Sequence, residues 1–438
     1  MKHVKISIIT ISLLLAVIVQ SYGQTTQMPK WAFNGKQIDF TQSTPQVQNM
    51  NANLAQPRFV SNAYYDNSGT RQVYIVDNQV FWENGNLGGT LFTDNDQIED
   101  QMTPELVITP KESTICGDGE YYACYIQVQY EPDSKAENPM VSYKLKVSDI
   151  VPGTSVSDFD FETILSGINM GANIGMAVSD FVPGTNNRRI YVVYREGLSS
   201  GISKILRYDL TPNGLSAPIT LASNTSKFWE PAEVELSANM DNLYFVRPKK
   251  FAHVNGDNSN DITIVPLDPA TGNLDGPIVE YDLEQQNSIY DYYIGIELDA
   301  NENYAYVVKE DEKILKVDLS DGDVTPLYDQ DGFNEFNTQL ERARNGLIYA
   351  VKSNGVLYYI NETYNTIVES ELDLTSSGVI RNKFLYGNGS GNEVYIIPDQ
   401  IDGCAYDDLF GTVEECCYVD LYTPANDAMQ GVQIQING

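Results

Sequence analysis

One short element recurs along this chain and restricts its fold more than any other feature. A tyrosine followed by small or β-branched apolar residues appears at Tyr74 (VYIV), Tyr125 (CYIQV), Tyr191 (IYVV), Tyr244 (LYFV), Tyr306 (AYVV), Tyr349 (IYAV) and Tyr395 (VYII), at intervals of 43 to 66 residues. Such residues suit a pleated, half-buried strand. Each is followed by a further strand-like run, as in ILRYDLTPNG from Ile205 and ILKVDLSDGD from Ile314. Most of these runs end in Asp or Asn and then Gly or Pro, which is turn chemistry.

Residues 294–323 show one unit complete. Three apolar runs, at 294–298, 304–309 and 313–319, are separated by Asp, Asn, Glu, Ser and Gly. Three strands joined by tight turns bury one face and do not stand alone in water, so the unit must stack on others. The chain supplies them: ELSANMDNLYFV from Glu235 and ELDANENYAYVV from Glu297 share Glu, Leu, Ala, Asn, Tyr and Val in register, 62 residues apart. Seven units of this kind predict an all-β fold, a seven-bladed β-propeller of antiparallel strands around a central channel. Residues 333–344 carry helix-favouring side chains, yet QLERARNGLIYA at 339–350 keeps the strand–turn–strand register of the repeat. Residues 31–41, WAFNGKQIDFT, precede the first unit and read as a single closure strand, pairing with the sheet around Tyr395 and Tyr418. VQIQI from Val432 reads as a final outer strand, or as the start of a continuation.

The first 23 residues have the form of a secretory signal peptide: Lys2 and Lys5, an apolar stretch over 6–19, then Ser21 and Gly23 as the small residues of a cleavage site. The apolar stretch is short for a bilayer span. The expectation is an exported chain, periplasmic, cell-surface or extracellular, with residues 24–438 as one propeller domain and no membrane span. Sixty acidic residues against 27 basic ones give a net charge of −33. Nucleic acid is excluded as a partner on that balance, because phosphate binding needs a basic surface. Five cysteines, Cys116, Cys124, Cys404, Cys416 and Cys417, are expected to oxidise after export. Cys116 and Cys124 flank GDGEYYA, which reads as a hairpin tip they bridge. Cys404 pairs with Cys416 or Cys417, leaving one odd thiol. None of the spacings is that of a zinc site.

WAFNGKQIDF, followed by units such as QLERARNGLIYA and ELSANMDNLYFV, resembles the secreted propellers of Bacteroidota found at the N-termini of cell-surface and gliding-associated proteins. The resemblance covers nearly the whole chain after the signal peptide. It implies an extracellular or surface-binding role and brings no catalytic residues with it. The C-terminal sorting domain typical of those proteins is not evident here.

Chemistry is sparse. After the signal peptide the only histidine is His253, so multi-histidine metal sites are excluded and a Ser–His–Asp triad would need that residue. It lies in FAHVNGDNSNDITIV, where Asn255, Asp257, Ser259 and Asp261 alternate. That spacing turns four oxygens toward one hard cation, making calcium the one candidate cofactor. The stretch is similar to the calcium loops of integrin-type propeller repeats, D-x-N-G-D-G-x-x-D, with His253 at the first Asp and Asn258 at the second Gly. An ordinary Asn/Asp-rich loop is the competing reading. In a propeller, the connections from an outer strand to the next inner strand gather at one mouth of the channel. Here they carry Trp229 and Glu230, then Tyr290, Asp291 and Tyr292, then Phe333, Glu335 and Phe336. Aromatics beside carboxylates at a concave mouth suit a glycan, peptide or protein ligand through stacking and hydrogen bonds. Non-catalytic binding is therefore the leading expectation. The alternative is a secreted carbohydrate-active hydrolase or lyase using carboxylates such as Glu230 and Asp291.

Overall fold

The computed structural model describes residues 28–33, 35–41, 44–50, 60–65, 69–92, 101–111, 119–130, 140–169, 174–196, 202–225, 231, 233–246, 262–283, 293–309, 313–327, 340–352, 355–375, 382–384 and 392–394. Strands β1 (Lys30–Phe33), β2 (Lys36–Asp39) and β3 (Gln46–Asn49) form a three-stranded antiparallel sheet. Larger sheets follow in chain order. The first holds β4 (Ser61–Tyr65), β5 (Arg71–Val76), β6 (Gln79–Trp82) and β7 (Leu87–Thr90). The second holds β8 (Gln101–Pro110), β9 (Tyr121–Tyr130), β10 (Met140–Val151) and the long β11 (Ser155–Asn169). The third comprises β12 (Ile174–Val178), β13 (Arg188–Glu196), β14 (Ile202–Thr211), the two-residue β15 (Gly214–Leu215) and β16 (Ile219–Asn224). Then come β17 (Glu233–Leu236), β18 (Asn242–Val246), β19 (Ile262–Pro266) and β20 (Val279–Tyr281). Next are β21 (Tyr293–Leu298), β22 (Tyr304–Lys309), β23 (Ile314–Asp318) and β24 (Val324–Leu327). The last large sheet is β25 (Glu341–Arg342), β26 (Ile348–Val351), β27 (Val356–Asn361) and β28 (Thr366–Asp373), and a hairpin, β29 (Asn382–Phe384) and β30 (Asn392–Val394), follows it.

Six of the seven tyrosine elements form the second strand of a sheet: β5, β9, β13, β18, β22 and β26. Of the Tyr395 element only Val394, the last residue of β30, is described; Tyr395 and the residues after it lie outside the described residues. Residues 339–350, set against a helix on register, supply β25 and β26, which pair antiparallel. No helix occurs among the described residues, and none is long and apolar enough to cross a membrane.

The sheets stand face to face as blades. Each has one apolar face toward the preceding blade and one toward the next, so its strands bury side chains on both sides rather than alternating with solvent. The cluster between the fourth and fifth large blades draws Tyr244, Val246, Ile262 and Ile264 from one, and Ile296, Leu298, Ala305, Val307, Leu315 and Val317 from the other. The first strands of the six large blades, β4, β8, β12, β17, β21 and β25, touch in succession and form the inner wall. At Gly175 on β12 a Cβ would lie 2.4 Å from Val234 Cγ2 and 2.8 Å from Pro231 Cγ, so only glycine allows this approach to the next blade.

The ring closes in a way the sequence reading did not foresee. Residues 31–41 are two strands, β1 and β2, joined at Asn34 and Gly35, and with β3 they make a seventh blade. Its Trp31, Phe33, Ile38 and Phe40 pack on Ala343, Tyr349, Val351, Leu357, Leu372 and Leu374 of the last large blade. Its Ala32, Met28 and Met50 pack on the first large blade. Seven antiparallel blades in a ring are the result. The expected pairing partners around Tyr395 and Tyr418 lie outside the described residues.

Candidate functional site

An inner strand has a ladder partner on one side only; its other edge presents N–H and C=O groups that need partners once buried. Here the partners are polar side chains from the preceding blade. Asn62 on β4 donates from Nδ2 to the Leu106 carbonyl (2.6 Å) while accepting at Oδ1 from the Ala63 N–H (2.7 Å). Glu105 on β8 accepts at Oε2 from the Met176 N–H (2.6 Å). Glu233 on β17 does the same for the Ile296 N–H (2.6 Å). Glu297 on β21 accepts from the Arg342 N–H at one oxygen and from the Leu298 N–H at the other, both at 2.7 Å. All four side chains are buried. Burial pushes the Glu297 carboxyl above its usual range, against the lowering pull of Arg342 and of the two N–H bonds. A carboxylate held by two backbone N–H groups braces the two inner strands it joins.

At the opposite end of the strands, tight turns are braced by a second set of bonds. Asp299 Oδ1 accepts the Asn303 and Tyr304 N–H groups (2.6 and 2.7 Å), and Ser237 Oγ occupies the same place in the preceding blade, accepting from Asp241 and Asn242. Glu302 links the two turns by accepting the Ala238 N–H (2.7 Å); burial raises its carboxyl, helped by Asp241 and Asp299. Arginine performs the longer bridging. Arg189 on β13 donates to the Pro269 and Ala270 carbonyls (both 2.6 Å), and Arg207 on β14 donates to the Thr271 carbonyl and to Asn273 Oδ1 (2.8 Å). Two guanidinium forks thus hold the turn after β19 onto the previous blade, a geometry lysine cannot supply. Gly272 sits in that turn at a φ of +67°, and a Cβ there would meet Arg189 Cδ at 2.6 Å.

The residues expected from sequence to bind ligand, Trp229, Glu230, Tyr290, Asp291 and Tyr292, lie outside the described residues. So do Asn255, Asp257, Ser259 and Asp261 of the calcium expectation, and Cys116, Cys404 and Cys416. Their attachment points are described. Trp229 and Glu230 lead into β17, and Tyr290, Asp291 and Tyr292 lead into β21. These inner strands are neighbours, bonded through Glu233 and the Ile296 N–H. The calcium segment runs between β18 and β19 of the blade that β17 opens. In an antiparallel blade the start of the first strand and the end of the second share one end, so all three segments join the ring at the same end. Cys124 lies within β9, four residues inside the strand, as a buried free thiol that burial pushes up to about 12. Among the described residues no group of three or more His, Cys, Asp or Glu is placed to hold a metal ion.

No protein-family model matches the chain, and no curated protein matches it. Solved structures do. A protein from Lactobacillus plantarum aligns at 12% identity over 73% of this chain and 96% of its own, with a TM-score of 0.38. The Dos1 propeller aligns at 11% identity over 76% of this chain and 75% of its own, with a TM-score of 0.41. The assignment as a propeller rests on the blade pairing and ring closure described above.

Proposed function

We propose that this protein is an exported, non-catalytic propeller that binds a glycan, peptide or protein ligand through Trp229, Glu230, Tyr290, Asp291 and Tyr292. The observation that carries this reading is the adjacency of β17 and β21, the strands into which the two aromatic–acidic segments lead. Three rings and two carboxylates, in segments that lead into adjacent blades, are the side chains that stack on a sugar or side chain and bond its polar edge. The signal peptide and the resemblance to secreted Bacteroidota propellers support export to the cell surface or beyond.

A panel of polysaccharides and peptides tests the proposal. Trp229→Ala is expected to weaken binding of the recognised ligand about tenfold or more, equivalent to roughly 1.4 kcal/mol, with the thermal midpoint unchanged. Turnover of a polysaccharide that Glu230→Gln abolishes would overturn the non-catalytic reading in favour of a hydrolase or lyase. The calcium proposal has its own measurement. A cation bound only to the native state must stabilise it, so a chelator is expected to lower the melting temperature and added calcium to restore it. An unchanged midpoint would remove calcium from the 255–261 segment.

A further inference from the structure

Three Asn–Gly pairs have both residues described: Asn84–Gly85, Asn213–Gly214 and Asn345–Gly346, each at a turn between consecutive strands. Asparagine before glycine is chemically labile, because glycine has no Cβ to shield its nitrogen from the neighbouring carboxamide. The three carboxamides differ in how they are held. Asn345, half-buried, donates from Nδ2 to the Tyr349 hydroxyl (2.8 Å) and accepts at Oδ1 from the Leu347 N–H (3.2 Å). Asn84 is exposed and accepts at Oδ1 from the Asn86 N–H (2.9 Å). Asn213 is exposed too, at the tip of the β14–β15 hairpin. Its main-chain N–H is held by Thr211 Oγ1 (3.1 Å), while its carboxamide has no hydrogen-bond partner among the described residues.

Packing between blades explains why glycine follows this freest carboxamide. Gly214 adopts a φ of +122°, a value side-chain-bearing residues rarely take. A Cβ there would also lie 2.5 Å from Asp160 Oδ2 on β11 of the preceding blade. The same Asp160 oxygen accepts the Leu215 N–H (2.8 Å). The approach of Asp160 to β15 therefore demands glycine at 214, and the demand leaves an Asn–Gly link on the surface.

We propose that Asn213 is a site of spontaneous modification, deamidating through a succinimide formed with Gly214. The Gly214 nitrogen bonds to Asn213 Cγ, the Cγ–Nδ2 bond breaks, and Nδ2 leaves as ammonia carrying the displaced amide proton. Solvent water then opens the ring. Opening at Cγ leaves an aspartyl residue at 213, and opening at the main-chain carbonyl leaves an isoaspartyl residue with an extra methylene in the backbone. The isoaspartyl product displaces Gly214 and Leu215, the whole of β15, and so strikes the bond from Leu215 to Asp160 that joins the second and third large blades.

Peptide mapping by mass tests the assignment on the full chain, kept folded at mildly alkaline pH for days, with enzymatic methylation marking isoaspartate. Asn213 is expected to convert roughly tenfold or more faster than Asn345, which must first break two hydrogen bonds, with Asn84 between them. In concentrated urea the three rates are expected to converge. Asn213→Gln, whose longer side chain would have to close a larger and slower-forming ring, is expected to abolish the product in that peptide with the thermal midpoint unchanged. Conversion of Asn213 no faster than Asn345 in the folded chain would overturn the proposal. A spread of rates that persists in urea would overturn it as well, by assigning the order to sequence neighbours rather than to the fold. So would a mass gain in the peptide that survives Asn213→Gln.

Discussion

Replacing Trp31 with alanine is expected to destabilise the protein by about 3–5 kcal/mol, the range for removing a buried tryptophan. Trp31 sits where the first and last blades of the ring meet. Its ring centroid lies 4.6 Å from that of Phe40 and 5.7 Å from that of Tyr349, both edge-on, and Phe40 and Tyr349 are themselves 5.2 Å apart. Edge-on pairs add roughly 0.5–1.5 kcal/mol each beyond area burial. The loss falls on a contact between residues 318 positions apart in the chain, so it should appear as a lower denaturant midpoint. Tyr364→Ala is the control: that ring is 74% exposed and its removal should stay within about 0.5 kcal/mol. A Trp31→Ala midpoint equal to the control's would show that the seam does not hold the ring.

Arg342→Met is expected to cost a similar amount, about 3–5 kcal/mol near neutral pH, because removing one partner strands the other's buried charge. The Arg342 guanidinium donates to the Gly346 and Leu298 carbonyls (both 2.5 Å) and to Glu362 Oε1 (3.0 Å), and it stabilises the buried Glu297 carboxylate. The sign of the pH dependence follows from Glu297. Burial already holds its carboxyl above the unfolded value, so the stability linked to it is fully present below the unfolded pKa and lost as pH rises through the folded one. Without Arg342 the folded pKa moves further up. The deficit of the variant should therefore be smaller at about pH 4.5, near the ordinary glutamate value, than at about pH 7.5. Urea titrations at the two pH values measure it; a deficit that does not change with pH would contradict the role given to Arg342.

The blades were legible because local chemistry specifies them. Turn residues and β-branched runs placed six second strands, and the shared Glu235 and Glu297 of the aligned units marked two inner strands. The tyrosine register misleads about faces, however. Side chains alternate along a strand, so a shift of one residue changes the neighbour. Tyr125 turns to the preceding blade, with its hydroxyl by the Leu91 carbonyl, whereas Tyr306 packs with Leu340 and Ile348 of the following one. Residues 31–41 read as one closure strand because WAFNGKQIDF lacks the tyrosine. Its Asn34–Gly35 pair is a two-residue hairpin signal, and Gly35 does adopt a positive φ of 69°. The inner-wall bonds of Asn62, Glu105 and Glu233 were not readable at all. Their partners, Leu106, Met176 and Ile296, lie 44 to 71 residues away in neighbouring blades. Nothing in the spacing of the side chains announces a backbone partner. The same holds for Arg189, whose acceptors across the blades are the main-chain carbonyls of Pro269 and Ala270.

Closure of the ring between the N-terminal blade and the blade of β25 to β28 is the claim on which the architecture depends. Nuclear Overhauser contacts between the indole of Trp31 and the ring of Tyr349, in protein labelled selectively at tryptophan and tyrosine, measure it directly. The 5.7 Å centroid separation predicts strong cross-peaks between the two rings. Their absence, with Trp31 instead contacting tyrosines of other blades, would contradict a seven-bladed ring closed by residues 30–49.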